Sequence, residues 1–125
     1  MKLENKVALI TGASMGIGHS TAVLFAREGA KVAVNSQSTR GQAVVDEIKA
    51  SGGDAIFVQG KVEDPKSAQA MVDKTVEAFG RLDILFNNAG IVLPGRVDNT
   101  TVEDFDRMVA VNVRGVFLVS KFAAQ

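Results

Sequence analysis

The eight residues TGASMGIG, 11 to 18, stand directly between the apolar run VALI and a helical pattern, and no other feature constrains the fold of this chain as strongly. Gly12, Gly16 and Gly18 permit a tight turn and let backbone N–H groups approach a ligand with no Cβ in the way. The helix N-terminus behind them carries about +0.5 of an elementary charge, which favours a phosphate group. A strand, a glycine turn and a helix in this order open a βαβ unit.

The rest of the chain continues that order. Four short apolar runs, VALIT, VAVN, AIFVQ and LDILFN, alternate with helical patterns. The runs are continuous rather than alternating, as in strands of a parallel sheet covered on both faces. The first helix should place Ile17, Thr21, Leu24 and Phe25 along one side and end near Gly29. The second shows Val44, Val45 and Ile48 before SGG breaks it. Pro65 to Gly80 is the clearest helix, with Ala68, Met71, Val72, Thr75, Val76 and Phe79 on one face. In TTVEDF, Thr100 reads as an N-cap with Glu103 completing a capping box. From Met108 to Val119 the following helix is apolar nearly all the way round, so the sheet must bury one side and something else the other.

A chain of 125 residues suits one domain, and 46% hydrophobic with 22% charged residues excludes disorder and fibrous repeats. Fourteen basic residues balance fourteen acidic ones with no basic run, so neither nucleic acid nor an anionic membrane is expected as a partner. With no cysteine there is no disulfide, redox thiol or thiolate metal site, and no metal centre is expected. The start, MKLENKVALITG, holds an apolar run too short for a signal peptide or a membrane span, and a cytoplasmic location is expected.

The glycine spacing is G-x-x-x-G-x-G, without the lysine that phosphoryl transfer by a P-loop requires, which points to cofactor binding rather than ATP hydrolysis. NNAG at the end of the fourth apolar run is, by itself, a strand exit with turn-forming residues. Taken together and in order, TGASMGIG, NNAG and VNV resemble the short-chain dehydrogenase/reductase family along the whole chain. The resemblance implies a doubly wound, Rossmann-like α/β fold with a parallel sheet, here with strand order 3-2-1-4, formed by residues 1–125 as the N-terminal part of one NAD(P)-binding domain. It also implies hydride transfer between a nicotinamide cofactor and a small-molecule alcohol or carbonyl, in a homo-oligomer.

The family roles fall on matching residues. Gly12, Ser14, Met15, Gly16, Ile17 and Gly18 inherit the cradling of the cofactor phosphates, and Asn88, Ala89 and Gly90 the ribose and nicotinamide side, while Asn87 braces the sheet. After the third strand the family has Asp-Val, whose Asp holds the adenine amino group; here the pair is Lys61-Val62. Lysine offers donors only. Either Glu63 or Asp64 compensates or the adenine is held less firmly, and the Val62 contact carries over. Ser36 stands where NAD-dependent members have Asp, and Gln37 where many NADP-dependent members have Arg. With no carboxylate to repel it, a 2′-phosphate could take hydrogen bonds from Asn35, Ser36 and Ser38. Arg40 is either a further partner or a solvated residue of the next helix. The cofactor expected is NADP(H) or NAD(H), with a lean to NADP(H).

Asn112 in VNV matches the catalytic Asn that anchors a proton-relay water in the family. The family's Tyr-x-x-x-Lys pair has no match, because the sequence holds no tyrosine. Ser120, Lys121 and His19 read as ordinary helix residues. The final GVFLVSKFAAQ stops inside a helix with no terminating residue, so the sequence is expected to be the N-terminal half of an oxidoreductase, without the catalytic Ser, Tyr and Lys. A dinucleotide-binding module without chemistry, or an interaction protein, is the alternative.

Overall fold

The computed structural model describes all 125 residues. Strands β1 (Val7–Ile10), β2 (Lys31–Ser36), β3 (Asp54–Gln59) and β4 (Ile84–Phe86) alternate with helices α1 (Gly16–Arg27), α2 (Gly41–Ala50) and α3 (Pro65–Phe79). A last long helix follows as α4 (Val102–Val109), a π-helical turn (Ala110–Arg114) and α5 (Gly115–Ala123). Every strand pair is parallel and the order is β3-β2-β1-β4, the doubly wound arrangement expected.

The two faces of the sheet bury separate cores. Leu9, Ala33 and Val58 pack with Met71 and Val72 of α3 and with Leu118 and Val119 of α5. Ile10, Val32, Val34 and Ala55 pack with Ala22 of α1 and with Val44, Val45 and Ile48 of α2. Neighbouring strand residues therefore serve opposite faces, and because both faces are covered the strands read as unbroken apolar runs. Each large side chain buried this way stabilises the fold by about 1.5–3 kcal/mol.

Helix α3 forms as the sequence indicates. The Asp64 carboxylate accepts from the Ser67 N–H, Pro65 occupies the first turn and Gly80 closes the helix in a left-handed conformation. Of its expected face, Val76 remains exposed.

The face expected for α1 is right only at Phe25, which packs against the core, and wrong at Ile17 and Leu24. Ile17 and Leu24 are 72% and 51% exposed, and the row against the sheet is Gly18 and Ala22, with Phe25 and Ala26 half-buried. At Gly18 the helix lies so close to the glycine turn that a small residue is required, and Ile17 and Leu24 are turned outward. The N-cap of α4 also differs: Thr101, not Thr100, accepts from the Asp104 N–H at 3.1 Å, while the Thr100 hydroxyl donates to the Arg96 carbonyl. Glu103 and Asp104 then both sit in the first turn, where carboxylates favour the helix dipole.

In the long helix, Val111, Gly115, Leu118 and Val119 form the buried side. Gly115 lies against Val62 so closely that a Cβ would come within 2.6 Å of Val62 Cγ2. On the other side Phe105, Val109, Val113, Val116 and Phe117 are exposed. No helix is long and apolar enough to cross a membrane.

The entrance to β1 and β4 is fastened by Asp83. Its carboxylate accepts from the Val7 N–H at 2.9 Å and from the Arg81 guanidinium at 2.6 and 3.0 Å, and its own N–H donates to the Val7 carbonyl. The Arg81 hydrogen bonds, and then the Val7 N–H, hold the Asp83 carboxyl below the usual carboxylate range. A group whose folded pKa is depressed contributes stability above its unfolded pKa, about 3.9, and loses it as pH falls through the folded value. Urea unfolding of the parent and Asp83→Asn should therefore show a stability gap at pH 7 that narrows below about pH 4. An unchanged gap in acid would mean that the charge of Asp83 contributes nothing.

Candidate functional site

At the carboxyl ends of the strands, α1 leaves β1 toward one face of the sheet and the chain leaving β4 returns over the other. The crevice between such divergent connections is where open α/β sheets take ligands. A cleft of about 320 Å³ opens there, lined by the glycine loop, the β3 exit from Gly60 to Glu63 and the β4 exit from Asn88 to Ile91. A side lobe is lined by Ser36, Gln37, Ser38 and Arg40.

Two buried polar side chains build its floor. Thr11 Oγ1 accepts from the N–H groups of Asn88 and Ala89 at 3.1 and 3.0 Å, which folds NNAG under the glycine loop. Asn35, 1% exposed at the end of β2, accepts from the Gly12 N–H at 3.1 Å and donates to the carbonyls of Val58 and Gly60. The Asn88 amide donates to the Gly12 carbonyl at 2.9 Å. Gly12 has φ +60° and lies so close to Ala89 that a Cβ would stand 2.7 Å from its Cα, so conformation and space both require glycine.

Beyond Gly12 the loop is left open. The N–H groups of Ser14, Met15, Gly16, Ile17 and Gly18 have no acceptor within the chain, and Met15 at the N-cap of α1 supplies no side-chain cap. Five donors at the positive end of a helix suit a phosphate or pyrophosphate, and no acidic residue in the first turn opposes it.

The structure places the residues singled out in the sequence as follows. Gly12, Ser14, Met15, Val62, Asn88, Ala89 and Gly90 line the cleft. Gly16, Ile17 and Gly18 contribute backbone, with the Ile17 side chain pointing to solvent. Ser36 is buried, its hydroxyl donating to the Ser38 carbonyl at 2.6 Å and accepting from the Gly41 N–H at 3.0 Å. Ser36 thus caps α2, and its side chain, like that of Asn35, is engaged within the protein rather than held out to a ligand. Asp64 is engaged as the α3 cap, which leaves Glu63 as the carboxylate lining the cleft beside Lys61.

Asn112 lies in the π-helical turn. Its amide clasps the Ile91 peptide, accepting from the N–H and donating to the carbonyl at 2.8 Å each. Asn112 is exposed, so these bonds, not burial, fix its orientation. Asn87 donates to the Ser120 hydroxyl at 3.0 Å and ties the β4 exit to α5, the bracing role expected of it. His19 is no isolated surface residue: its Nε2 lies 3.0 Å from Glu47 Oε1 and links α1 to α2.

Sequence reasoning missed Thr11 and the internal role of Asn35. A threonine at a strand end and an asparagine in a buried strand are ordinary until the loops they meet are known. The one available signal was an amide inside an otherwise apolar run, which requires partners.

A parallel sheet with a bare, glycine-lined helix start at its switch point is the Rossmann-type architecture. The chain belongs to the short-chain dehydrogenase family, whose model matches residues 6–125. It is 54% identical over 126 residues to an uncharacterized oxidoreductase of Thermotoga maritima, covering 100% of this chain and 49% of the relative. It is 49% identical to a versicolorin reductase of Emericella nidulans, over 98% of this chain and 47% of that one. Among solved structures, a short chain dehydrogenase from Mycobacterium avium superposes with a TM-score of 0.97 at 39% identity, covering 99% of this chain and 46% of the other. One from Burkholderia cenocepacia in complex with NADP gives 0.94 at 45% identity, over 99% and 51%. The chain spans about half the length of the curated relatives it matches.

A Cβ on Gly18 would lie 2.5 Å from Asn88 Nδ2 and 2.6 Å from the Gly12 carbonyl oxygen. Gly18→Ala should separate NNAG from the glycine loop, costing about 1–3 kcal/mol in unfolding free energy. A variant as stable as the parent would show that this packing can yield.

Proposed function

We propose that these residues form the dinucleotide-binding half of an NADP(H)-dependent oxidoreductase that moves a hydride between the nicotinamide and an alcohol or carbonyl of a small molecule, in the cytoplasm. The observation that carries the reading is the run of five free N–H groups at the uncapped start of α1. Gly12, Ser14, Met15, Gly16, Ile17 and Gly18 would hold the pyrophosphate. Asn88, Ala89 and Gly90 would line the ribose and nicotinamide side, and Val62 the base side. Glu63 is the acceptor available there, because Asp64 caps α3. Bound in this cleft, the nicotinamide supplies or accepts the hydride.

The preference for NADP(H) rests on the side lobe. Ser36, Gln37, Ser38 and Arg40 line it without a carboxylate, and Arg40 forms no ion pair. The Ser36 hydroxyl is engaged, so its part is to set the lobe's shape, while Gln37, the Ser38 hydroxyl and Arg40 remain as partners for a 2′-phosphate. A similar structure has NADP bound, which supports this choice.

In the whole enzyme a proton must reach the nascent alkoxide. The family supplies it from a Tyr-Lys pair, and no tyrosine occurs among these residues, so binding is proposed for this chain and turnover for a polypeptide that carries such a pair. Asn112 would contribute by holding Ile91 at the edge of the cleft, with the water relay of the family as its proposed catalytic part.

Isothermal titration should find NADPH bound more tightly than NADH. Arg40→Glu should weaken NADPH by about tenfold or more, with NADH changed less than about twofold. Equal affinities in the parent would overturn the NADP(H) preference, and binding of neither would overturn the reading. The row Phe105, Val109, Val113, Val116 and Phe117 is proposed as the contact between copies in a homo-oligomer. Val113→Asp with Phe117→Glu should then shift the mass measured by light scattering to that of a monomer, and a parent that is already monomeric sinks the assignment.

A further inference from the structure

We infer that Asn35 is a positioning residue for the dinucleotide: its buried amide sets the spacing between the wall of the cleft that cradles the pyrophosphate and the wall formed by the β3 exit. The inference rests on the reading of the cleft as a dinucleotide site. Asn35 borders the cleft, but its side-chain amide is engaged by Gly12, Val58 and Gly60 within the protein.

The geometry has three parts. Asn35 Oδ1 accepts from the N–H of Gly12, the first residue of the open loop, at 3.1 Å. Its Nδ2 donates to the Val58 carbonyl at 2.9 Å and to the Gly60 carbonyl at 3.2 Å. Its own carbonyl accepts from the Ala13 N–H at 2.7 Å. Gly12 and Gly60 both line the cleft, at the exits of the two strands that flank β2, and no direct hydrogen bond joins the glycine loop to the β3 exit. The amide of Asn35 is therefore the polar link between the two walls.

An amide suits this place because it carries an acceptor and two donors on one rigid plane. Aspartate has the same shape but would set a second acceptor against two carbonyls. Burial and the facing carbonyls would raise the pKa of an aspartate here, since both disfavour the ionised form. Once protonated, it could donate to one carbonyl and still accept from Gly12. Asn35→Asp should consequently be impaired when ionised and recover as pH falls through that raised value. The charged and titratable groups around the cleft are Lys61, Glu63 and Arg40. They are common to parent and variant, so the ratio of the two affinities isolates position 35.

A ligand reaching both walls depends on their spacing, whereas one held by a single wall does not. NADPH spans the cleft, and adenosine 2′-monophosphate lacks the pyrophosphate. For Asn35→Asp at pH 8, the dissociation constant of NADPH should rise about thirtyfold and that of adenosine 2′-monophosphate less than about threefold. At pH 5.5 the NADPH loss relative to the parent should shrink to about fivefold or less. Equal losses for both ligands, or a folded variant with no recovery in acid, would overturn the inference.

Hydrogen exchange on the parent decides the matter even if the variant does not fold. The Gly12 amide should be protected in the free protein, while those of Ser14 to Gly18 exchange fast and become protected on adding NADPH. A Gly12 amide exchanging as fast as the others would show that the link does not hold. Failure of the parent to bind NADPH would overturn the proposed function, with Gly12 protection still reporting on the link itself.

Discussion

The carboxyl edge of the sheet depends on how two buried side chains, Thr11 and Asn35, use their hydrogen bonds. A loop that leaves five N–H groups free for a ligand has little backbone pairing to hold its own shape. Thr11 ties the β4 exit under the loop, and Asn35 ties the loop to the β3 exit. The open donors are thereby flanked by fixed points, and the ordering is met during folding rather than at binding. Leaving either side chain without partners would cost about 1–3 kcal/mol for each buried group. The same contacts that stabilise the fold therefore position the donors.

The long helix solves a related problem on the other face. Gly115 must meet Val62 without a Cβ between them, while three residues earlier Asn112 must face the Ile91 peptide. The π-helical turn lies between α4 and α5 at this point and includes Asn112. Such turns insert an extra residue into a helix and re-aim the side chains around it. Arg114, at the end of the turn, donates to the Glu63 carbonyl and joins the helix to the β3 exit. One helical segment thus contacts the segments after β3 and β4, and both of these border the cleft.

Legibility in the sequence followed the distance over which each feature is decided. The four strands, and α3 with its proline and glycine ends, are settled by residues near one another, and they stand where the sequence puts them. The parallel order 3-2-1-4 came from motifs in register with a family, and the fold agrees. The inward face of α1 was misread at Ile17 and Leu24 because helical periodicity favours bulky residues, whereas the close approach of Gly18 to Asn88 excludes one there. Thr100 and Thr101 are adjacent and chemically alike, and only the path of the preceding turn selects Thr101. The internal hydrogen bonds of Asn35 and Ser36 were not legible in the sequence. Their partners at Gly60 and Gly41 become neighbours only after the sheet forms.

The starts of the helices show the division between fold and site most sharply. The first turn of α2 is capped from a distance by the Ser36 hydroxyl, α3 by Asp64 and α4 by Thr101. The first turn of α1, by contrast, receives no side-chain acceptor, and its N-cap, Met15, cannot accept a hydrogen bond of useful strength. An N-cap of this kind forgoes about 1 kcal/mol relative to Ser, Thr, Asp or Asn. Had stability alone governed the sequence, a capping residue at position 15 would satisfy donors that now face the cleft. A side-chain oxygen there would also compete with an incoming phosphate for the same N–H groups. A poor cap on one helix among well-capped neighbours is what a chain requires when a ligand is to complete that helix.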